Sequence, residues 1–152
     1  MTESVRTRRA SVADLDVLVP LFDGYRSFYR QPSDPDLART FLEQRLTRGE
    51  SIIFVAERDG EAIGFTQLYP SFSSARARRI YILNDLFVRP DARRHGAGRA
   101  LLEQASAFAR DEGAARLTLS TAVDNRTAQA AYEKAGWQRD EAFYVYNLSL
   151  AD

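Results

Sequence analysis

Cysteine is absent from the chain, which removes disulfides, thiolate metal sites and cysteine nucleophiles at once. Histidine occurs once, at His95, so a multi-histidine metal centre is excluded and no metal is expected. Lys134 is the only lysine and nearly every basic residue is arginine, a skew of coding bias to which no function attaches. No apolar run approaches the length of a membrane span, and Met1 to Arg9 has no apolar core of a signal peptide. A cytoplasmic protein with no membrane partner is the expectation. Neither sign of charge dominates: 21 Lys and Arg balance 21 Asp and Glu, giving a pI of about 6.6. That balance argues against nucleic-acid binding as the main task.

Within 152 residues there is room for one domain with a real core. No composition shift, repeat or low-complexity tract divides them, so a single domain over residues 1–152 is expected. Val5 to Arg9 reads as an edge strand. Ser11 and Asp14 form a capping-box start, after which Val12, Leu15, Val19 and Phe22 recur at helical spacing, with Pro20 predicting a kink or break. Asp34-Pro35 opens a second helix with Leu37, Phe41, Leu42 and Leu46 inward, ended by Gly49. Strands follow at Ser51 to Glu57 and, across an Asp59-Gly60 turn, at Ala62 to Tyr69. Ser71 to Arg79 is the least patterned stretch and reads as a mobile loop. A strand from Ile80 to Val88 leads into a basic glycine loop. The helix after it, inward through Leu101, Leu102, Ala105, Phe108 and Ala109, stops at Gly113. A strand over Arg116 to Ser120, a helix over Asn125 to Ala135 and an alternating strand over Phe143 to Leu150 complete the chain. The order β-α-α-β-β-β-α-β-α-β describes an α/β (α+β mixed) fold with a mixed, mostly antiparallel sheet and helices on both faces.

The loop Arg89-Pro-Asp-Ala-Arg-Arg-His-Gly-Ala-Gly-Arg99 sits between a β-branched strand and an amphipathic helix. Backbone N–H groups at a helix N-terminus favour an anion. Gly96 and Gly98 carry no Cβ, so the backbone can approach that anion closely. A phosphorylated ligand is the first inference, against the plainer reading of a turn glycine pair among solvated arginines.

Spacing adds to this. Arg93-x-x-Gly96-x-Gly98 follows Asp85-Leu86-Phe87-Val88, and Asp124-Asn125-x-x-Ala128-x-x-x-Tyr132-x-x-x-Gly136-Trp137 lies downstream. Together they resemble the coenzyme A signature of the GCN5-related N-acetyltransferases, the GNAT superfamily, whose element order is also the one read above. Leu83-Asn84-Asp85-Leu86-Phe87-Val88 and Tyr25-Arg26-x-x-Tyr29 look most like its diamine or spermidine/spermine branch. The resemblance implies acetyl-CoA as co-substrate and a primary amine of a small molecule as acceptor. It implies pyrophosphate binding by Arg93, Arg94, His95, Gly96, Ala97, Gly98 and Arg99. Leu86, Phe87 and Val88 are the counterparts of the strand end that meets the pantetheine arm. The Val88 N–H would polarise the thioester carbonyl, while Asn125 and Ala128 would complete the coenzyme site.

Tyr132 is the counterpart of the family's acid, placed to give the departing sulfur a proton; the plain alternative is a core phenol. The base stays open. The polyamine-acetylating relatives carry glutamate where this chain has Asn84. Alternation points Asp85 opposite Asn84, Asp23 is a second candidate, and a water chain is a third. His95 lies inside the pyrophosphate loop, so its ring is expected near solvent rather than at the chemistry. Asp23, Tyr25, Tyr29, Asn84 and Asp85 are the candidate acceptor contacts. Tyr69 and Phe72 are candidates for the same aromatic wall, and Asp34 and Asp36 for attracting a cation. Arg76, Arg78 and Arg79 read as a solvated loop or an acceptor-carboxylate site. Competing readings are protein or peptide N-acetylation, a non-catalytic CoA-binding domain and, least supported, a nucleic-acid module. Late-strand aromatics Phe143, Tyr144 and Tyr146 suggest a homodimer, as in many relatives.

Overall fold

The computed structural model describes residues 4–151, which form two compact units dividing between Ser120 and Thr121. Met1 to Glu3, the start of the stretch read for a signal peptide, and Asp152 lie outside the described residues.

The first unit is built on a sheet in the order β1-β2-β3-β4-β5. Its strands are β1 (Arg6–Arg9), β2 (Ile52–Arg58), β3 (Glu61–Ser73), β4 (Arg78–Val88) and β5 (Leu117–Thr118). The first four pair antiparallel and β4 pairs β5 in parallel, as expected for strands joined through a helix. Between β1 and β2 lie α1 (Leu15–Phe28) and α2 (Pro35–Thr47); α3 (Ala97–Asp111) joins β4 to β5. One face of the sheet buries Ile53, Val55, Phe65 and Phe87 with Leu18, Phe22 and Leu42 from α1 and α2. The other takes α3, whose Phe108 meets Phe54 and Tyr81 edge-on at 5.6 and 5.2 Å. β2 is therefore buried on both faces and reads as a continuous apolar run.

Local chemistry starts each helix. Ser11 and Asp14 make the full capping box in a 3-10 turn (Val12–Asp14) before α1, and Asp34 accepts from the Leu37 N–H at 3.1 Å. Several expectations change. The break expected at Pro20 is not formed: α1 continues through it, and Pro20 and Asp16, the residue whose carbonyl it leaves without an intrahelical bond, are both exposed, so that carbonyl is open to solvent. Val12 and Leu37 are 46% and 50% exposed rather than core. Ser71 to Arg79 is no loop: Phe72 pairs with Arg79 and Ser73 with Arg78, and the Arg79 guanidinium covers the Phe72 ring at 4.1 Å. These cross-strand contacts extend the hairpin to a turn over residues 74–77.

The second unit contains α4 (Arg126–Lys134) followed by Gly136 at φ 97°, where a left-handed residue ends a helix. The closing strand expected over Phe143 to Leu150 is not formed among the described residues. Its alternation is present, but a strand exists only where a neighbouring edge takes up its backbone groups. Phe143, Tyr144 and Tyr146 are exposed. No helix among the described residues is long and apolar enough to cross a membrane.

Gly64 pairs with Val88 at the end of the β3–β4 ladder. A Cβ there would lie 2.7 Å from the Phe87 carbonyl oxygen and 3.1 Å from Val88 Cγ2. Gly64→Ala is expected to cost about 1–3 kcal/mol, the usual range for overpacking, read as a lowered urea midpoint with unchanged slope.

Candidate active site

β4 ends at Val88, and the Arg89 N–H donates to the Ile63 carbonyl at 2.8 Å. Arg89 then pairs with Glu61 at 2.6 Å and Asp91 at 3.2 Å. Arg93 folds back, its Nε donating to the Val88 carbonyl at 3.0 Å, with its guanidinium 5.9 Å from the Phe87 ring centre. Arg94 and Gly96 both adopt left-handed backbone, at φ 70° and 83°, and this pair of reversals turns the chain into α3. Gly96 caps α3 and has no side chain to offer, and the first turn holds no acidic residue. The start of α3 thus presents N–H donors without a side-chain acceptor, and a Cβ added at Gly98 would meet nothing within 4 Å. Arg93, Arg94, His95 and Arg99 are exposed, Ala97 is buried, and Arg99 pairs with Glu103 at 3.0 Å. The arrangement suits an exposed phosphate group.

The middle of β4 holds the second cluster. Gln67 pairs with Asp85 but Leu68 pairs with Leu83, so Asn84 is an extra residue without a cross-strand partner, a β-bulge. The bulge overturns the expectation that alternation separates Asn84 from Asp85. Their side chains meet, Asn84 Nδ2 donating to Asp85 Oδ1 at 2.9 Å. Gln67 Nε2 donates to Asp85 Oδ2 at 2.6 Å and Thr66 Oγ1 to the Asp85 carbonyl at 2.8 Å. Asp85 is 1% exposed. Burial pushes its carboxyl up, against hydrogen bonds from Asn84 and Gln67 that pull it down. Gln67 Oε1 is buried without a hydrogen-bond partner.

Tyr25 comes from α1, where its ring packs on Phe22, Tyr29 and Phe65. Its hydroxyl donates to the Asn84 carbonyl at 3.1 Å, and burial together with the Asp85 charge raises its pKa. Tyr69 is raised by the same two causes. Asp23 is engaged elsewhere: it accepts from Ser33 Oγ at 2.6 Å and the Asp34 N–H at 2.8 Å, tying α1 to the start of α2, and its carboxyl is held low by those bonds. Arg78 donates to the Gly113 carbonyl at 2.8 Å, so with Arg79 on Phe72 these arginines brace the hairpin.

In the second unit Asn125 caps α4, its Oδ1 accepting from the Ala128 N–H at 3.1 Å. Tyr132 lies on the same helix, with the Trp137 ring 6.2 Å away and the Trp137 N–H donating to the Tyr132 carbonyl at 3.0 Å. Gln67 and Gly64 were missed from sequence. The available signal was Thr66-Gln67 inside an otherwise apolar strand, since a buried amide needs a polar partner across the sheet.

The model of the GNAT acetyltransferase family matches residues 18–137. The chain is 51% identical over 143 residues to an uncharacterized N-acetyltransferase of Bacillus subtilis, YhfO, covering 94% of this chain and 96% of that one. It is 28% identical over 131 residues to a D-amino-acid N-acetyltransferase of Saccharomyces cerevisiae, covering 84% and 81%. A crystal structure of a probable acetyltransferase superposes with a TM-score of 0.92 at 46% identity, over 97% of this chain and 99% of the other.

Because its folded-state pKa is depressed, the stabilisation Asp23 gives is present above its unfolded value of about 3.9 and is lost as pH falls through the lower folded value. Asp23→Ala is expected to lower the urea midpoint at pH 7. That gap to the parent protein should close in acid, in a titration of the midpoint against pH.

Proposed function

As the chain belongs to the GNAT acetyltransferase family, whose enzymes use acetyl-CoA, we propose that it moves acetyl from acetyl-CoA to a primary amine of a small molecule. The acceptor is polyamine- or amino-acid-like, and transfer is by direct attack in a ternary complex. The observation that carries the reading is the start of α3: two left-handed residues, a side-chain-free cap and exposed arginines, which fit the pyrophosphate of the coenzyme. Acetyl-CoA supplies the activated acyl group. Arg93, Arg94, His95, Gly96, Ala97, Gly98 and Arg99 hold its phosphates, and Leu86, Phe87, Val88, Asn125 and Ala128 its pantetheine arm. The Val88 N–H favours charge on the carbonyl oxygen. Tyr132 gives a proton to the departing thiolate, for which a phenol is a sufficient donor.

A single transferase domain fits this reading, since the family match runs through both units. The polyamine-like acceptor rests on the Leu83 to Val88 and Tyr25 to Tyr29 resemblance; the relatives single out no such branch. Acetylation of an amino acid draws support from the yeast relative's substrate. A homodimer belongs to the same reading, with exposed Phe143, Tyr144 and Tyr146 as the surface a second copy covers.

Thiol release from acetyl-CoA with polyamines, amino acids, aminoglycosides and short peptides tests it. Amine-dependent release on a small molecule is expected. Tyr132→Phe should lower kcat by roughly 10²-fold with CoA affinity unchanged, and coenzyme that fails to bind would overturn the reading. Gly98→Asp separates binding from folding. A carboxylate in the first turn of α3 should stabilise the helix by about 0.3–1 kcal/mol, yet weaken CoA binding at least about tenfold, the equivalent of 1.4 kcal/mol. Calorimetric titration beside thermal melts would show both signs.

A further inference from the structure

Two polar atoms on the sheet face beneath α1 and α2 have no hydrogen-bond partner: Ser51 Oγ and Gln67 Oε1. Their residues are 5% and 0% exposed, and polar atoms so deeply buried are normally bonded. The two are neighbours. Gln67 pairs with Ile53 on one side and Asp85 on the other, and Ile53 belongs to the core under α1 and α2. Strand alternation carries Ser51 and Tyr69 to that same face. Ser51 comes just before Ile52, whose partner is Leu68, so it borders Tyr69. The Tyr69 hydroxyl makes no hydrogen bond among the described residues. Burial and the Asp85 charge raise its pKa, so it stays a phenol and a donor.

Arg45 approaches from the last turn of α2. Its side chain is only 20% exposed, whereas arginines are mostly in water. The guanidinium lies over the Phe41 ring at 4.8 Å and its Nε donates to Glu50 at 2.9 Å. Neither Nη nitrogen has an acceptor among the described residues. Tyr69 is within reach of both the Arg45 and the Asp85 charge. The polar groups thus sort by type. Arg45 Nη, Tyr69 Oη and Ser51 Oγ offer donors at one end. Gln67 Oε1, the Asp85 carboxylate and Asn84 Oδ1 offer acceptors at the other, since only the Asn84 Nδ2 is bonded to Asp85.

We propose that this face takes an amino-acid substrate, with Arg45 and Tyr69 as the contacts of its carboxylate and the Asp85 end attracting its ammonium. This rests on the transfer reaction proposed above and selects the amino acid over the polyamine as its acceptor. The free edge of the Arg45 guanidinium matches a carboxylate in shape and charge, and the Tyr69 hydroxyl adds a third donor. A polyamine would bring a second cation toward Arg45. Asp23, the carboxylate that could have held that cation, is engaged by Ser33 and Asp34. Arg78 and Arg79, read from sequence as a possible carboxylate site, are engaged by the Gly113 carbonyl and the Phe72 ring.

Thiol release is measured for amino acids, each beside its own carboxamide, and for polyamines, with Arg45→Gln and Tyr69→Phe beside the parent. The parent is expected to favour the amino acid over its carboxamide by about 10- to 100-fold in kcat/KM, the range for hydrogen bonds to a charged group. Arg45→Gln should bring that ratio close to one. Tyr69→Phe, which keeps the ring and removes one oxygen, should lower it by about threefold to tenfold and stands as the test if Arg45→Gln lowers Tm. CoA affinity should be unchanged in both. Calorimetric titration of the CoA complex with an amino acid and its carboxamide should show the same preference without turnover. A parent ratio near one, a ratio that both variants keep, or release with polyamines alone overturns the carboxylate site. A parent that releases no thiol with any amine overturns the transfer reading, and the calorimetric preference then decides the carboxylate site by itself.

Discussion

The pairing of β3 with β4 is the constraint on which the rest of this structure depends. At one end Gly64 lets the Phe87-Val88 backbone come close enough that a single added methyl would collide with it. In the middle the ladder slips by one residue, so that Asn84 stands outside the register. At the far end the hairpin is closed by Arg79 on Phe72. Each feature sets a different part of the chemistry: where the strand hands over to the glycine loop, which side chains share a face, and how far β4 extends toward β5.

The polar groups fall into two electrostatic classes. The arginines of the glycine loop and their carboxylate partners are exposed, and pairs such as Arg99 with Glu103 contribute at most about 1 kcal/mol each. They leave the fold almost indifferent to this charge, which is then available to a ligand. Asp85 is the opposite case. Its environment strengthens every interaction it makes and penalises its ionisation. Asp23 shows how the same residue type becomes structural when two donors hold it at a helix junction.

Much of this was legible along the chain because it is local. Capping boxes, Pro at a helix start and Gly after a helix end are fixed by a few neighbouring residues, and Ser11, Asp34 and Gly136 do what their types imply. The glycine loop is legible for the same reason: its left-handed residues and its helix start without a side-chain cap are backbone features within one turn of one helix. Val12 and Leu37 misled because helical spacing gives the period but not the exact edge of the buried stripe.

The sequence by itself determined the element order as far as α4, the helix starts and stops, the basic loop and the family to which the chain belongs, since each rests on contacts within a few residues or on motif spacing. Only the tertiary structure decided that Asn84 and Asp85 face the same way, that Gln67 and Tyr25 join them, and that Asp23 is committed elsewhere. It also decided that Ser71 to Arg79 is a hairpin and that Phe143 to Leu150 forms no strand. The physical reason is common to all of them. A strand's register, its bulges and its very existence are set by the partner that takes up its hydrogen bonds, and that partner lies far away in sequence.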